Sequence, residues 1–163
     1  MSDRIENSVR AGRILVVDDE ETIRAIIVSM LASANYECRE AGDGLEALAV
    51  LNSGERFDLL LTDIMMPKMD GCALMERTKD KYADMPVVFV TSVNDIQMAL
   101  LAFRNGACDY VLEPFDREQI FAAVRRALED RRLKLEHRAY VSNLEAQVAS
   151  LAEQLRVRKP EKQ

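Results

Sequence analysis

Five short segments of this chain read as strands: Arg13–Val17, Tyr36–Glu40, Asp58–Thr62, Val87–Val90 and Cys108–Leu112. Ile14-Leu15-Val16-Val17 and Leu59-Leu60-Leu61 show no polar alternation. Such runs suit strands buried on both faces, as in a parallel sheet. Between the strands the apolar residues fall at helical spacing. Ile23, Ile26, Ile27, Met30 and Leu31 predict a helix over Thr22 to Ala34. Leu45, Leu48 and Leu51 mark one side of a second helix, Leu45 to Leu51. Leu74 and Met75 are the expected inward pair of a third, Cys72 to Tyr82. A fourth spans Asp95 to Arg104, and a last one follows Glu113-Pro114-Phe115. Gly42-Asp43-Gly44, Asn52-Ser53-Gly54 and Asn105-Gly106 punctuate these elements. Each interval between strands holds a crossover helix and is too long for a hairpin. The expected fold is therefore α/β: one five-stranded parallel sheet, doubly wound by right-handed crossovers.

That layout brings acids together. Asp18 and Asp19 follow the first strand, and Asp63 ends the third. Ligands of open α/β sheets bind at this carboxyl edge. Pro67 has no N–H for a ladder, and Gly71 permits a tight turn, so Asp63 stands beside a stiff loop. If the first and third strands are neighbours, the three carboxylates converge, and like charges that close raise one another's pKa. A hard divalent cation such as magnesium (Mg²⁺), held by carboxylates and waters, resolves the conflict. Asp63 can then act as a nucleophile toward phosphorus, with the metal offsetting charge on the transferring group. The plainer alternative is that Asp18 and Asp19 cap the helix starting near Thr22. Thr91 ends the fourth strand at the same rim, where its hydroxyl suits a phosphoryl oxygen. Tyr110, in the fifth strand, is either half-buried core or a side chain that swings between two positions.

Composition narrows the classes. The net charge is -6, which argues weakly against nucleic acid as the main partner. Residues 1–115 carry 11 Lys/Arg and 20 Asp/Glu, whereas 116–163 carry 11 and 8, an acidic body with a mildly basic tail. Three cysteines, Cys38, Cys72 and Cys108, with no C-x-x-C, suit neither a disulfide framework nor a zinc site. Reduced thiols and a cytoplasmic location are expected. No stretch approaches 18 apolar residues, so a membrane span is not expected, and Met1–Gly12, polar and expected to fray, has no signal-peptide core. Asp18-Asp19-Glu20 stands where a dinucleotide site would want G-x-G-x-x-G, and its charge would repel a pyrophosphate.

Four blocks carry a resemblance: Ile14-Leu15-Val16-Val17-Asp18-Asp19-Glu20, Asp63 through Gly71, Val90-Thr91-Ser92, and Gly106 through Phe115. In order and spacing they resemble the signature of the response-regulator receiver domain over roughly residues 12–130. The resemblance implies a flavodoxin-like sheet of order 2-1-3-4-5. It implies that Asp63 is the phosphoacceptor, supplied by a histidine kinase or phosphotransfer protein. It also implies that Asp19 binds Mg²⁺ directly, with Asp18 in support, and that the backbone carbonyl of Met65 is a further ligand. Thr91 would move toward the phosphoryl group and Tyr110 turn inward behind it. The face of helix 4, strand 5 and helix 5 would then change and signal to a partner. Met65 and Val93 occupy the family positions that flank the path of the hydrolytic water. Both are apolar, so slow self-hydrolysis is expected.

One residue departs from the pattern. The family has lysine before the proline of the last block, and this chain has Glu113. An anion there adds repulsion where a cation would contact phosphate. Either Glu113 serves as an extra metal ligand or outer-shell acceptor, or phosphotransfer and switching are impaired. The Glu113-Pro114 bond is expected to be cis, as in the family.

No Gly or Pro occurs from Asp116 to Lys159, which allows about 40 helical residues, roughly 60 Å. Phe121, Val124 and Leu128 are expected to pack on the sheet. Val141, Leu144, Val148, Leu151 and Leu155 recur at intervals of three, four, three and four, like a coiled-coil seam, which Lys134 and His137 interrupt upstream. A helix this long is marginal alone, so a homodimer through a second copy is expected. Arg125, Arg126, Arg131, Arg132, Lys134 and Arg138 alternate with Glu129, Asp130 and Glu136, as on a solvated helix rather than a nucleic-acid site. The expected organisation is a flexible 1–12, a receiver domain 13–130, a helical dimerisation or linker segment 131–158 and a frayed 159–163. No catalytic output domain is legible, and the pattern suits a segment of a longer regulator and a stand-alone partner-binding protein alike. Three functions compete for this pattern: a phosphorylation-controlled receiver with an effector partner, a phosphate-uncoupled dimerisation or docking module, and a haloacid-dehalogenase-type phosphatase. The last wants D-x-D after the first strand, which is absent, so no enzyme is expected.

Overall fold

The computed structural model describes residues 11–92 and 96–158. Expectations for residues 1–10, Val93, Asp95 and 159–163 lie outside the described residues. The chain divides into two compact units between Leu128 and Glu129.

In the first unit, β1 (Gly12–Val17), β2 (Tyr36–Ala41), β3 (Leu59–Asp63), β4 (Val87–Ser92) and β5 (Asp109–Glu113) alternate with helices. These are α1 (Glu21–Ser33), α2 (Gly44–Asn52), α3 (Gly71–Thr78), α4 (Ile96–Arg104) and the start of α5 (Arg117–Val157). All strand pairs are parallel, in the order β2-β1-β3-β4-β5. The side-chain period of two divides each central strand between two cores. Leu15, Val17, Leu60 and Phe89 face α2, α3 and α4, packing with Ala47, Leu51, Leu74, Met75 and Ala102. Ile14, Val16, Leu61, Val88 and Val90 face the other way, onto Ile27 and Leu31 of α1 and Ile120 and Val124 of α5. Strands buried on both faces explain the unbroken apolar runs. Phe121 and Leu128 pack at the margin of the second core.

Several boundaries and contacts differ from the sequence expectation. Ala11 and Gly12 are not frayed: the Ala11 N–H donates to the Asn35 carbonyl, and Gly12 pairs with Tyr36. Leu45 does not join Leu48 and Leu51 inward and is 49% exposed. The small residues Gly44 and Ala47 form the inward stripe of α2 with Val50 and Leu51, and Leu45 lies one position off it. α3 ends at Thr78 rather than Tyr82, although the Tyr82 N–H still bonds the Thr78 carbonyl at 2.8 Å; the Tyr82 hydroxyl donates to the Leu51 carbonyl of α2 at 2.7 Å. Asp116 and Gln119 form a reciprocal capping box that starts α5.

The second unit is helical from Glu129 to Val157. Arg132 pairs with Glu129 and Glu136, and Lys134 with Asp130. Val141, Leu144, Val148, Leu151 and Leu155 are all exposed. No described helix is long and apolar enough to cross a membrane.

Candidate functional site

Neighbouring β1 and β3 bring the three predicted acids together. Val17 is in register with Thr62, so Asp18 and Asp63 each stand one residue beyond that pair. Carboxylate oxygens of Asp18, Asp19 and Asp63 lie within 4.8 Å of one another. Asp18 is buried, Asp63 partly so, and Asp19 is exposed. The helix-capping alternative is not what the acids do. Glu20 is the N-cap residue of α1 and makes no side-chain cap bond. Asp18 Oδ1 instead accepts the Glu20 N–H at 2.8 Å, which turns the chain out of β1.

The electrostatics are those of crowded, partly desolvated anions. Burial pushes the Asp63 carboxyl up to about 7, and repulsion from Asp18 and Glu113 adds to the rise. Asp18 is raised to about 6, again chiefly by burial and then by Asp19 and Glu113. Burial and then Glu20 raise Glu113. A set of oxygen donors with uncompensated negative charge fits a hard divalent cation, and the cluster is compatible with the metal site typical of receiver domains.

The loop after β3 holds Asp63 through its backbone. The Met65 N–H donates to Asp63 Oδ1 at 3.2 Å. Lys68 has a φ of 66°, with the Met69 N–H bonded to the Pro67 carbonyl at 2.7 Å, a tight turn about Lys68. Lys68 Nζ reaches Asp43 at 3.1 Å, and Asp43 caps α2 through the Glu46 N–H. Gly71 serves a purpose other than the expected turn: a Cβ there would collide with the Asp63 carbonyl oxygen. Its N–H bonds the Ile64 carbonyl at 2.8 Å.

Thr91 is fully buried and one residue past Val90, the β4 partner of Asp63. Glu113 is in register with Ser92, and its bond to Pro114 is cis. Tyr110 is neither core nor turned inward here. It is 40% exposed on β5, with its ring edge-on to Phe103 at 5.3 Å. Sequence reasoning missed Arg24, whose Nη1 donates to the Asp18 carbonyl at 2.6 Å while Nε pairs with Glu40 at 3.2 Å. It missed Lys68 as well. No spacing rule announces these contacts, since the Arg24–Glu40 and Lys68–Asp43 pairs join separate βα units and the Arg24–Asp18 bond runs from a helix side chain to a loop carbonyl.

Comparisons with known proteins bear on the family and the fold. A family model, the response regulator receiver domain, matches residues 14–125. The DNA-binding transcriptional regulator NtrC of Salmonella typhimurium is 39% identical over 120 residues, covering 74% of this chain and 25% of NtrC. The structure of NtrX from Brucella abortus superposes with a TM-score of 0.75 at 36% identity, covering 82% of this chain and 30% of NtrX. Full-length FixJ from B. japonicum gives 0.74 at 28% identity, covering 86% and 69%. The match spans about a quarter of the length of the NtrC relatives. The chain belongs to the response-regulator receiver family, and its receiver domain is a signalling module rather than an enzyme.

Proposed function

We propose that this chain is a cytoplasmic two-component receiver that takes a phosphoryl group on Asp63 from a histidine kinase or phosphotransfer protein. The convergence of Asp18, Asp19 and Asp63 at one sheet edge carries this reading. Bound Mg²⁺ would neutralise charge on the transferring group. Asp19 and Asp63, with the Met65 carbonyl, would hold it, Asp18 supporting and Glu113 as a further acceptor. An Asp63 carboxylate oxygen attacks phosphorus as the bond from phosphorus to the donor nitrogen breaks, and the donor imidazole leaves with a proton. Thr91 would donate its hydroxyl to a phosphoryl oxygen, and Tyr110 would turn inward from its place beside Phe103. The α4–β5–α5 face would carry the change to an effector domain or protein.

The tail would dimerise as a coiled coil. In heptad terms Val141 and Val148 fall at a, and Leu144 and Leu151 at d. In a parallel arrangement that distribution favours two strands. No direct role in nucleic-acid or membrane binding is proposed.

A second reading rests on Glu113. With an anion where the family has lysine, the domain would dock and dimerise without control by phosphate. Incubation with an acyl phosphate donor and Mg²⁺, read by mass spectrometry and sedimentation, separates the two. Modification of Asp63 in the native chain and none in Asp63→Asn supports the first. A dimer that never acquires phosphate supports the second.

A further inference from the structure

Arg24 sits on the first turn of α1, yet its side chain serves the rim. Nη1 donates to the Asp18 backbone carbonyl at 2.6 Å. That carbonyl belongs to the peptide joining the two consecutive acids, so its direction sets how Asp18 and Asp19 are presented. Two other bonds fix the same stretch: the Asp18 N–H to the Ala41 carbonyl at 3.2 Å, and the Glu20 N–H to Asp18 Oδ1 at 2.8 Å. Arg24 supplies a further restraint, on the oxygen side of the peptide. The other arm of the guanidinium, Nε, pairs with Glu40 at the end of β2. The Arg24 side chain is 17% exposed, and Glu40 is 48% exposed. An ion pair with so exposed a partner contributes little to stability. A charge-assisted bond to a partly buried carbonyl is the stronger of the two.

We infer that Arg24 is a positioning residue for the acidic rim: its guanidinium clamps the peptide between Asp18 and Asp19 and so holds both carboxylates for a divalent cation. This rests on the reading of the rim as a Mg²⁺ site. The guanidinium fork suits the task because it reaches the Asp18 carbonyl and the Glu40 carboxylate at once. Lysine keeps the charge but offers a single point contact. Partners one step removed from a metal are worth about 10-fold to 100-fold in its affinity.

The test is calorimetric titration of Mg²⁺ alone into the native chain and into Arg24→Gln, Arg24→Lys and Glu40→Gln. Thermal melts in parallel confirm folding. The expected result is affinity weakened about tenfold or more in Arg24→Gln, partly restored in Arg24→Lys, and changed by less than about twofold in Glu40→Gln. With an acyl phosphate donor, the half-saturating Mg²⁺ should rise in Arg24→Gln while the plateau yield at saturating Mg²⁺ is kept. A residue that only braces α1 against β2 would give the same small loss in the Arg24 and Glu40 variants, and that result overturns the inference. An unchanged affinity in Arg24→Gln overturns it as well. A native chain that binds no Mg²⁺ overturns both the inference and the metal-site reading. A chain that binds Mg²⁺ yet accepts no phosphate contradicts the phosphoacceptor reading alone, and calorimetry still decides the role of Arg24.

Discussion

Replacing Asp63 by Asn should stabilise the metal-free protein at alkaline pH. The carboxyl is raised from an ordinary 3.8 to about 7, by burial first and then by Asp18 and Glu113. The folded state therefore holds the proton more tightly than the unfolded chain does. Stability must fall as pH rises from about 4 to about 7, because the native state binds more protons across that window. Ionising Asp63 fully in the native state costs at most about 4 kcal/mol, taking 1.36 kcal/mol per factor of ten. Partial solvent access lowers this, so about 2 kcal/mol is the working expectation at pH 8. Asn has nearly the same shape and cannot ionise. Urea unfolding with a chelator present should show Asp63→Asn more stable than the native chain at pH 8 and equal to it near pH 4. Adding Mg²⁺ at pH 8 should close the gap by stabilising the native chain alone. If Asp63→Asn is neutral or destabilising at pH 8 without metal, the carboxylate is not under strain and the electrostatic account of the rim is wrong.

Glu113→Lys should raise the yield of phosphorylated Asp63 from an acyl phosphate donor, and an unchanged or lower yield would show that Glu113 is not the obstacle. Gly71→Ala should destabilise the domain by about 2 kcal/mol or more, since overpacking costs of that order follow when backbone has to move, here at the Asp63 carbonyl. Thermal melts read this directly, and an undisturbed melting temperature would contradict the close approach. The phosphorylated form should persist for minutes, and Met65→Asn should shorten its life by giving the hydrolytic water a polar contact. A half-life of seconds in the native chain would refute the apolar-flank argument. Leu144→Asp with Leu151→Asp should convert a sedimenting dimer to monomer while leaving Mg²⁺ binding intact.

What the sequence discloses follows from where burial is two-sided. β1, β3 and β4 are covered on both faces, so their apolar runs and strand ends are plain, and with them the places of Asp18, Asp63 and Thr91. Other features depend on packing and on side-chain-to-backbone contacts that no local residue pattern specifies. Leu45 turned outward because small residues, Gly44 and Ala47, form the inward stripe of α2. Gly71 is required by the Asp63 carbonyl against it rather than by a turn. Arg24 reads as an ordinary helix-surface arginine until β2 and the Asp18 carbonyl are seen beside it. Tyr110 had two possible places by sequence, and only the structure shows it exposed on β5 with its ring edge-on to Phe103 of α4.

A crystal structure of the chain with Mg²⁺ and beryllofluoride is the most direct measurement. The account predicts beryllofluoride bound to an Asp63 oxygen and Mg²⁺ about 2.1 Å from an Asp19 oxygen, with Glu113 turned toward the cation or away from the fluorides. Beryllofluoride absent from Asp63, or a cation bound away from Asp18, Asp19 and Asp63, would contradict it.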